Sequence, residues 1–317
     1  MLNGKSEQYR ISKETSEKVI KAARELNYIP NNLARGLKLS KTNTIGLIIP
    51  DISNPFFADI AKTIEQEARN NNYFIIFCDS EENQKTEVEL IQLLLSRKVD
   101  GLIIAPVGIE SDHIAKLYHS KFPVITIDRY FPDLPIPYIT SNNYQGAYEA
   151  VQYLIQTNHK RIACIQGLAS SQPGKERVQG YIEALKNNRL TVEQELIVGD
   201  SFSEENGYVS AQLLFSLKEP PDAIFACSNL IALGVLKAAR EMGYKIPNTF
   251  SLIAFDEQPF SAYLVPSMTT VEQQKREMSR LAVKFLIQFI QNQRIDPKVA
   301  IKLKTRLNIR ESVINRL

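Results

Sequence analysis

This sequence has no apolar run long enough to cross a membrane as a helix. The longest stretches, such as Ile45–Ile49, are strand-sized, whereas a span needs about 20 apolar residues. No basic-then-apolar leader opens the chain. Cysteine is scarce. The three present, Cys78, Cys164 and Cys227, lie far apart inside apolar runs without metal-ligand spacing, so they read as buried, reduced core thiols. Histidine is equally scarce, and His113, His119 and His159 fall in polar contexts that read as surface. No nucleophile with an adjacent base stands at any expected strand exit. The Gly4-Lys5 pair lacks the glycine spacing of a phosphate loop. Catalysis, a metal and a cofactor are therefore not expected, and the address expected is cytoplasmic.

What is there suits a globular protein of two lobes and a small appendage. The 317 residues exceed one ordinary core, with 44% hydrophobic and 23% charged residues. The net charge of +3 is unevenly placed: residues 1–44 hold nine Lys or Arg against four Glu, so the remainder is slightly acidic. A basic arm on a near-neutral body suggests contact with a polyanion; a solvated helix would carry the same charge.

The arm reads as an amphipathic helix. Ser12 is its expected N-cap, Glu14 and Glu17 occupy the first turns, and Val19, Ala22, Ala23 and Leu26 form a stripe. Pro30 ends it; a short helical segment, 31–39, and a polar linker, Ser40-Lys41-Thr42-Asn43, follow. From Thr44 the rhythm becomes strand, helix, strand. Expected strands at 45–49, 73–78, 101–105, 124–127 and 138–140 alternate with helices at 55–71, 84–96 and 109–120. After a helix at 144–156 the pattern repeats, with strands at 162–166, 196–198, 223–226 and 251–254. Helices at 175–187, 203–216 and 230–242 separate them. Continuous apolar strands between helices imply parallel sheets covered on both faces. Two such sets in series give the expected fold class, α/β with two doubly wound lobes. Ligands in such sheets bind outside the carboxyl ends of the strands.

Those ends carry a consistent set of side chains: Asn54, Phe56 and Phe57 after the first strand, Asp128 and Arg129 after the fourth, then Arg177, Phe202, Asn229 and Asp256 in the second set. Aromatic rings can cover the C–H faces of a sugar; carboxylates accept from its hydroxyls, Arg donates as a fork, and Asn does both. Each residue has a plainer use. An Asp after a strand is often a helix cap, Asp-Arg a local ion pair, and Phe-Phe opening a helix is usually core. Asp256-Glu257 suits capping or sugar binding better than acid–base work.

Several segments in this order resemble the LacI/GalR family of transcriptional regulators over nearly the full length. They include Arg10-Ile11-Ser12-Lys13-Glu14-Thr15, Ala22-Ala23-Arg24-Glu25-Leu26-Asn27-Tyr28-Ile29-Pro30-Asn31, Ala34-Arg35-Gly36-Leu37 and Thr44-Ile45-Gly46-Leu47-Ile48-Ile49-Pro50. Ser53-Asn54-Pro55-Phe56-Phe57, Val99-Asp100-Gly101-Leu102-Ile103, Ile127-Asp128-Arg129, Ala232-Leu233-Gly234, Ala254-Phe255-Asp256 and Thr269-Thr270-Val271-Glu272-Gln273 complete the set. The body also resembles periplasmic pentose- and hexose-binding proteins.

The resemblance implies a homodimeric repressor of carbohydrate metabolism. A small sugar-type effector would bind between the lobes and alter affinity for operator DNA. It implies effector contacts from Asn54, Phe56, Phe57, Asp128, Arg129, Arg177, Asn229, Asp256 and Gln273, and from Phe202 if one extra residue is allowed. Leu230 departs from the Asp usual after the Asn. An anionic sugar derivative stays open because Arg129 and Arg177 could pair with it.

The resemblance also divides the chain: a partial helix-turn-helix headpiece and hinge helix at 1–43, and an effector domain at 44–317. The first lobe is expected at about 44–141 and 269–294, the second at about 142–268 and 295–317. Strand 300–303 would thus belong to the second lobe, after a helix at 274–290 on the first. Three crossovers make a hinge. Met1-Leu2-Asn3-Gly4-Lys5 matches the end of a recognition helix, so the headpiece is expected to be incomplete. Asn31, Ala34, Arg35 and Leu37 are the expected DNA contacts, with Leu37 as a minor-groove wedge or packed on its own helix. The alternatives are a sugar sensor without operator binding and a solute-binding protein.

Overall fold

A computed structural model describes residues 12–26, 41–292 and 299–316. The expected hinge helix, with Asn31, Ala34, Arg35 and Leu37, lies outside the described residues, as does the opening segment. The chain divides into two compact units, Met1–Asn43 and Thr44–Leu317.

In the first unit, α1 spans Lys13–Glu25. Ser12 starts it, its Oγ accepting from the Thr15 amide at 3.2 Å, which satisfies one of the free amides of the first turn. Val19 and Ala23 of the expected stripe are half-buried, while Ala22 and Leu26 are exposed.

The second unit contains two six-stranded sheets built on one plan. In the first, β1 (Thr44–Ile49), β2 (Phe74–Asp79), β3 (Gly101–Ile104), β4 (Val124–Ile127) and β5 (Tyr138–Ser141) are joined by β11 (Ala300–Leu303). Their order is β11-β5-β4-β3-β1-β2. The second contains β6 (Ile162–Ile165), β7 (Ile197–Val198), β8 (Ala223–Ala226), β9 (Ser251–Phe255), β10 (Thr269–Glu272) and β12 (Arg306–Asn308), in the order β12-β10-β9-β8-β6-β7. All pairings are parallel except β10 with β12. Every residue of β3, β4, β6 and β8 is buried, as helices on both faces require.

Helices α2 (Pro55–Asn70), α3 (Gln84–Ser96) and α4 (Asp112–His119) cover the first sheet; α5 (Asn143–Gln156), α6 (Gln172–Asn187), α7 (Glu204–Phe215) and α8 (Asn229–Glu241) cover the second. Helix α9 (Lys275–Asn292) returns to the first lobe. Its Met278, Ala282, Val283 and Leu286 share a core with Ile60 and Ile64 of α2 and with Ile103 and Ile125 of the strands. Each Met, Val, Leu or Ile among them taken from water contributes about 1.5–3 kcal/mol. Phe225, Phe250, Phe255 and Tyr181 anchor the second core.

Two boundaries differ from the sequence reading. Thr269–Glu272 belongs to the second sheet, where Thr270 pairs with Ala254. Ala300–Leu303 belongs to the first, pairing in parallel with β5 from Ala300 opposite Tyr138. The chain therefore crosses between lobes at 141–142, 273–274 and 304–305. Apolar periodicity identifies a strand but not which sheet receives it, and β11 is an edge strand without a buried residue. The crossovers are tied together: the Asn142 amide donates to Leu303 O at 2.7 Å and Gln274 Nε2 to Lys304 O at 2.8 Å.

Smaller corrections are local. Residues 194–196 form a 3-10 turn before a two-residue β7, and α4 starts three residues late, leaving Ile109 exposed. Two histidines are not surface groups. His159 is fully buried, between Leu154 O at 2.9 Å and Ser251 Oγ at 2.8 Å, and burial lowers its pKa. His113 Nε2 meets the fully buried Glu87 at 2.6 Å. All three cysteines are buried and free. No described helix is long and apolar enough to cross a membrane.

Candidate functional site

The two lobes present matching strand ends. β4 ends in Asp128 and β9 in Asp256, both with positive φ, 59° and 76°. Such a backbone is costly for a residue other than glycine unless its surroundings fix it. Here the same bond does so in each lobe: the Asp128 amide donates to Ile139 O and the Asp256 amide to Val271 O, both at 2.9 Å. The turn points each carboxylate out of the sheet end. Asn54 caps α2, its Oδ1 accepting from the Phe56 amide at 3.0 Å. Ser228 caps α8 through the Ile231 amide at 3.2 Å, which sets Asn229 at the helix start.

One crevice between the lobes is lined by Asn54, Phe56, Phe57, Asp128, Arg129, Arg177, Phe202 and Asp256, together with Pro173 and Ser228. The remaining two expected residues adjoin it. Asn229 Nδ2 donates to Asn54 Oδ1 at 3.4 Å, a contact across the lobes, and Gln273 Nε2 donates to Asp256 Oδ1 at 2.5 Å. All ten expected residues are therefore brought together.

The arginines are held in place by their neighbours. Glu82 grips Arg129 as a fork, Nη1 to Oε2 at 2.7 Å and Nη2 to Oε1 at 2.6 Å. Its guanidinium lies 5.8 Å from the Phe57 ring and 5.7 Å from the Phe202 ring. Arg177 donates from Nε to Asn143 Oδ1 at 2.9 Å and from Nη1 to Cys227 O at 2.7 Å. Its guanidinium carbon lies 3.8 Å from the centre of the Phe255 ring, a favourable cation–π contact. Phe202 reaches the crevice because residue 167 is glycine: a Cβ there would sit 2.0 Å from the Phe202 ring.

Burial pushes the Asp128 carboxyl up to about 6. Asp256 and Glu82 push the same way, while Arg177 and Arg129 oppose them. Asp128 Oδ1, Arg129 Nε, Asn229 Oδ1 and Gln273 Oε1 are buried without a hydrogen-bond partner. Orphaned buried groups are rare, because each costs about 1–3 kcal/mol. These four, two on residues lining the crevice and two on residues adjoining it, form a preset pattern of three acceptors and one donor. The crevice leaves a cavity of about 20 Å³, room for one water. A sugar ring requires the lobes to part.

Sequence reasoning missed Glu82 and Asn143; Ser228 and Phe255 stand at strand exits in the sequence, but the sequence reading gives them no part in the site. Glu82 lies 47 positions from Arg129, in a loop whose closeness to β4 no local pattern reveals. The capping role of Ser228 could have been read, because a serine before an apolar helix is an ordinary cap. Glu257 neither caps nor lines the crevice: it binds the Arg310 guanidinium at 2.8 and 2.9 Å. No cluster of His, Cys, Asp or Glu able to hold a metal occurs among the described residues.

Comparison with known proteins gives a consistent result. Residues 42–309 match the family described as periplasmic binding proteins and sugar binding domain of the LacI family. The HTH-type transcriptional repressor CytR of Escherichia coli is 32% identical over 286 residues, 90% of this chain and 84% of that protein. Catabolite control protein A of Priestia megaterium is 33% identical over 303 residues, 95% of this chain and 91% of the relative. A LacI family transcriptional regulator from Enterococcus faecium, solved with bound ribose, superposes with a TM-score of 0.76 at 27% identity, covering 86% of this chain and all of that one.

Proposed function

The chain belongs to the LacI family of transcriptional regulators, and on that premise we propose that its inter-lobe crevice binds a neutral, polyhydroxylated effector that controls operator binding. The four orphaned polar atoms carry this reading, since they ask for at least three donors and one acceptor from a small molecule. Sugar hydroxyls supply both. Phe56, Phe57 and Phe202 flank the crevice and suit the C–H faces of a ring.

A phosphorylated or uronic effector fits less well. Both terminal nitrogens of Arg129 are taken by Glu82, and Arg177 is engaged by Asn143 and Cys227. The crevice thus offers an anion no free fork, and Asp128 and Asp256 repel it.

Regulation follows from the architecture. An effector bonded to both strand-end carboxylates favours one spacing of the lobes, and the three crossovers turn that choice into a rigid-body motion. A coupling of about 1–3 kcal/mol changes DNA affinity roughly 5- to 150-fold. Residues 1–43 are the proposed DNA-binding unit and 44–317 the effector domain; a cytoplasmic address goes with that role. Homodimerisation is supported by the edge of the first sheet, where Phe74, Ile76 and Phe77 of β2 are 69%, 37% and 40% exposed. Such an edge is normally covered.

Thermal shift with ribose, glucose, cellobiose, cytidine, hypoxanthine and glucose 6-phosphate tests the reading. A neutral hydroxylated compound is expected to raise Tm by several degrees, since a hundredfold excess over Kd stabilises by about 2.7 kcal/mol. Stabilisation by hypoxanthine or glucose 6-phosphate alone, or by none of the six, overturns it. A gel shift with operator fragments then reads the coupling.

A further inference from the structure

We propose that Glu176 is a positioning residue that latches the two lobes in the closed arrangement and so sets effector affinity without touching the effector. The inference rests on the crevice being the effector site. Glu176 lies on α6 of the second lobe, one residue before Arg177. Its Oε1 accepts from two groups of the first lobe, Lys302 Nζ at 2.7 Å and Tyr130 OH at 3.0 Å. Gln172 Nε2, on the same helix, adds a third donor at 3.3 Å. Lys302 belongs to β11, and Tyr130 follows β4 by three residues.

The donors are prearranged. The Tyr130 ring stacks on Tyr138 of β5 at 4.0 Å and 8°, and Lys302 Nζ lies 5.5 Å over the same ring. Tyr130 from the loop after β4, Tyr138 of β5 and Lys302 of β11 thus form one stacked platform. Its hydroxyl and ammonium meet a carboxylate that is 11% exposed. Burial works against the Lys302 ammonium, yet Glu176 and Tyr130 hold its pKa above the usual range. Neither Glu176 nor Lys302 lines the crevice.

The contrast with the crevice itself gives the latch its weight. Among the described hydrogen bonds away from the hinge, the other direct one between lobes is the 3.4 Å contact of Asn229 with Asn54. The charged bonds to Glu176 are shorter and stronger. Lys302 and Tyr130 sit on one lobe and Glu176 on the other, so parting the lobes breaks these bonds. The closed crevice has room for one water, so an effector must take the opened form, and the latch lowers the fraction of molecules open to it. Arg177 shares the α6 turn with Glu176, so the same closure brings it over the crevice.

The test uses Lys302→Met, Glu176→Gln and the double variant in the full chain. One readout is calorimetric affinity for ribose, glucose, cellobiose and cytidine. The other is the ligand-free distance distribution between spin labels at Lys121→Cys on the first lobe and Lys186→Cys on the second. Each single variant is expected to tighten binding of the compound that the wild type takes by about three- to tenfold, as loss of a part-exposed charged contact that holds the lobes closed does. The double variant should gain no more than the better single one, and the unliganded distances should broaden to longer values. Unchanged affinity and distances in Lys302→Met, or gains that multiply in the double variant, overturn the latch. If no compound binds the wild type, the effector reading fails, while the distances still decide the latch.

Discussion

The two lobes share one plan and use it differently. Each ends its fourth strand in an aspartate with positive φ, held by an amide bond to the neighbouring strand. In the first lobe that aspartate stands beside Arg129, whose fork is committed to Glu82, and burial pushes its carboxyl up to about 6. In the second lobe the aspartate is met by the Gln273 amide, and the nearby arginine lies over Phe255, tethered by neutral acceptors. The first lobe brings a charged network and the Phe56 and Phe57 rings, the second the Phe202 ring and neutral dipoles. A ligand that must satisfy both is polar at one edge and flat on its faces. The comparison thus restates the chemistry of a sugar from the protein's side.

Variants can break this comparison, and Asp256→Ala is the severest. It removes the second lobe's carboxylate and strands the Gln273 amide, and affinity for the effector is expected to fall about a hundredfold by calorimetry. Equal loss from Asp128→Asn would erase the asymmetry between lobes.

The Asp128→Asn substitution should act on stability, with a definite sign. Its folded-state pKa, about 6, exceeds the unfolded value near 3.9. Its contribution to folding is therefore full below about pH 4 and lost as pH rises through about 6. The asparagine variant should be more stable than the wild type at pH 7.5 by about 1–3 kcal/mol. That gain should vanish near pH 4, as followed by denaturant melts.

Gly167→Ala probes the one aromatic face of the second lobe. The added Cβ would displace Phe202, so affinity should fall about tenfold while far-UV circular dichroism stays unchanged. The mildest effect belongs to Glu82→Gln. By loosening the grip on the Arg129 fork, it should raise affinity for glucose 6-phosphate several-fold over wild type, measured by the same titration.

Much of this was legible before any coordinates, for identifiable reasons. Strands buried on both faces, such as Gly101–Ile104 and Ala223–Ala226, read as continuous apolar runs. The strand-end rule pointed to Asp128, Arg129 and Asp256 because they follow the runs directly, and to the Phe56-Phe57 pair because it opens the helix after the first run. What stayed hidden depends on three-dimensional neighbours. Nothing near Glu82 announces Arg129, and nothing in Ala300–Leu303 says that it pairs with Tyr138–Ser141 rather than the second sheet. His159 looked polar because its neighbours in sequence are Asn158 and Lys160, yet the fold encloses it with Ser251. Periodicity reports one element's faces; pairing between distant segments is set by packing.

A crystal structure of the chain with the best-binding member of the compound panel tests the central claim most directly. Hydroxyl or ring oxygens are expected within hydrogen-bond distance of Asp128 Oδ1, Arg129 Nε, Asn229 Oδ1 and Gln273 Oε1, the four atoms that lack partners here. A ligand seated elsewhere, with those four atoms still unpaired, would contradict the account.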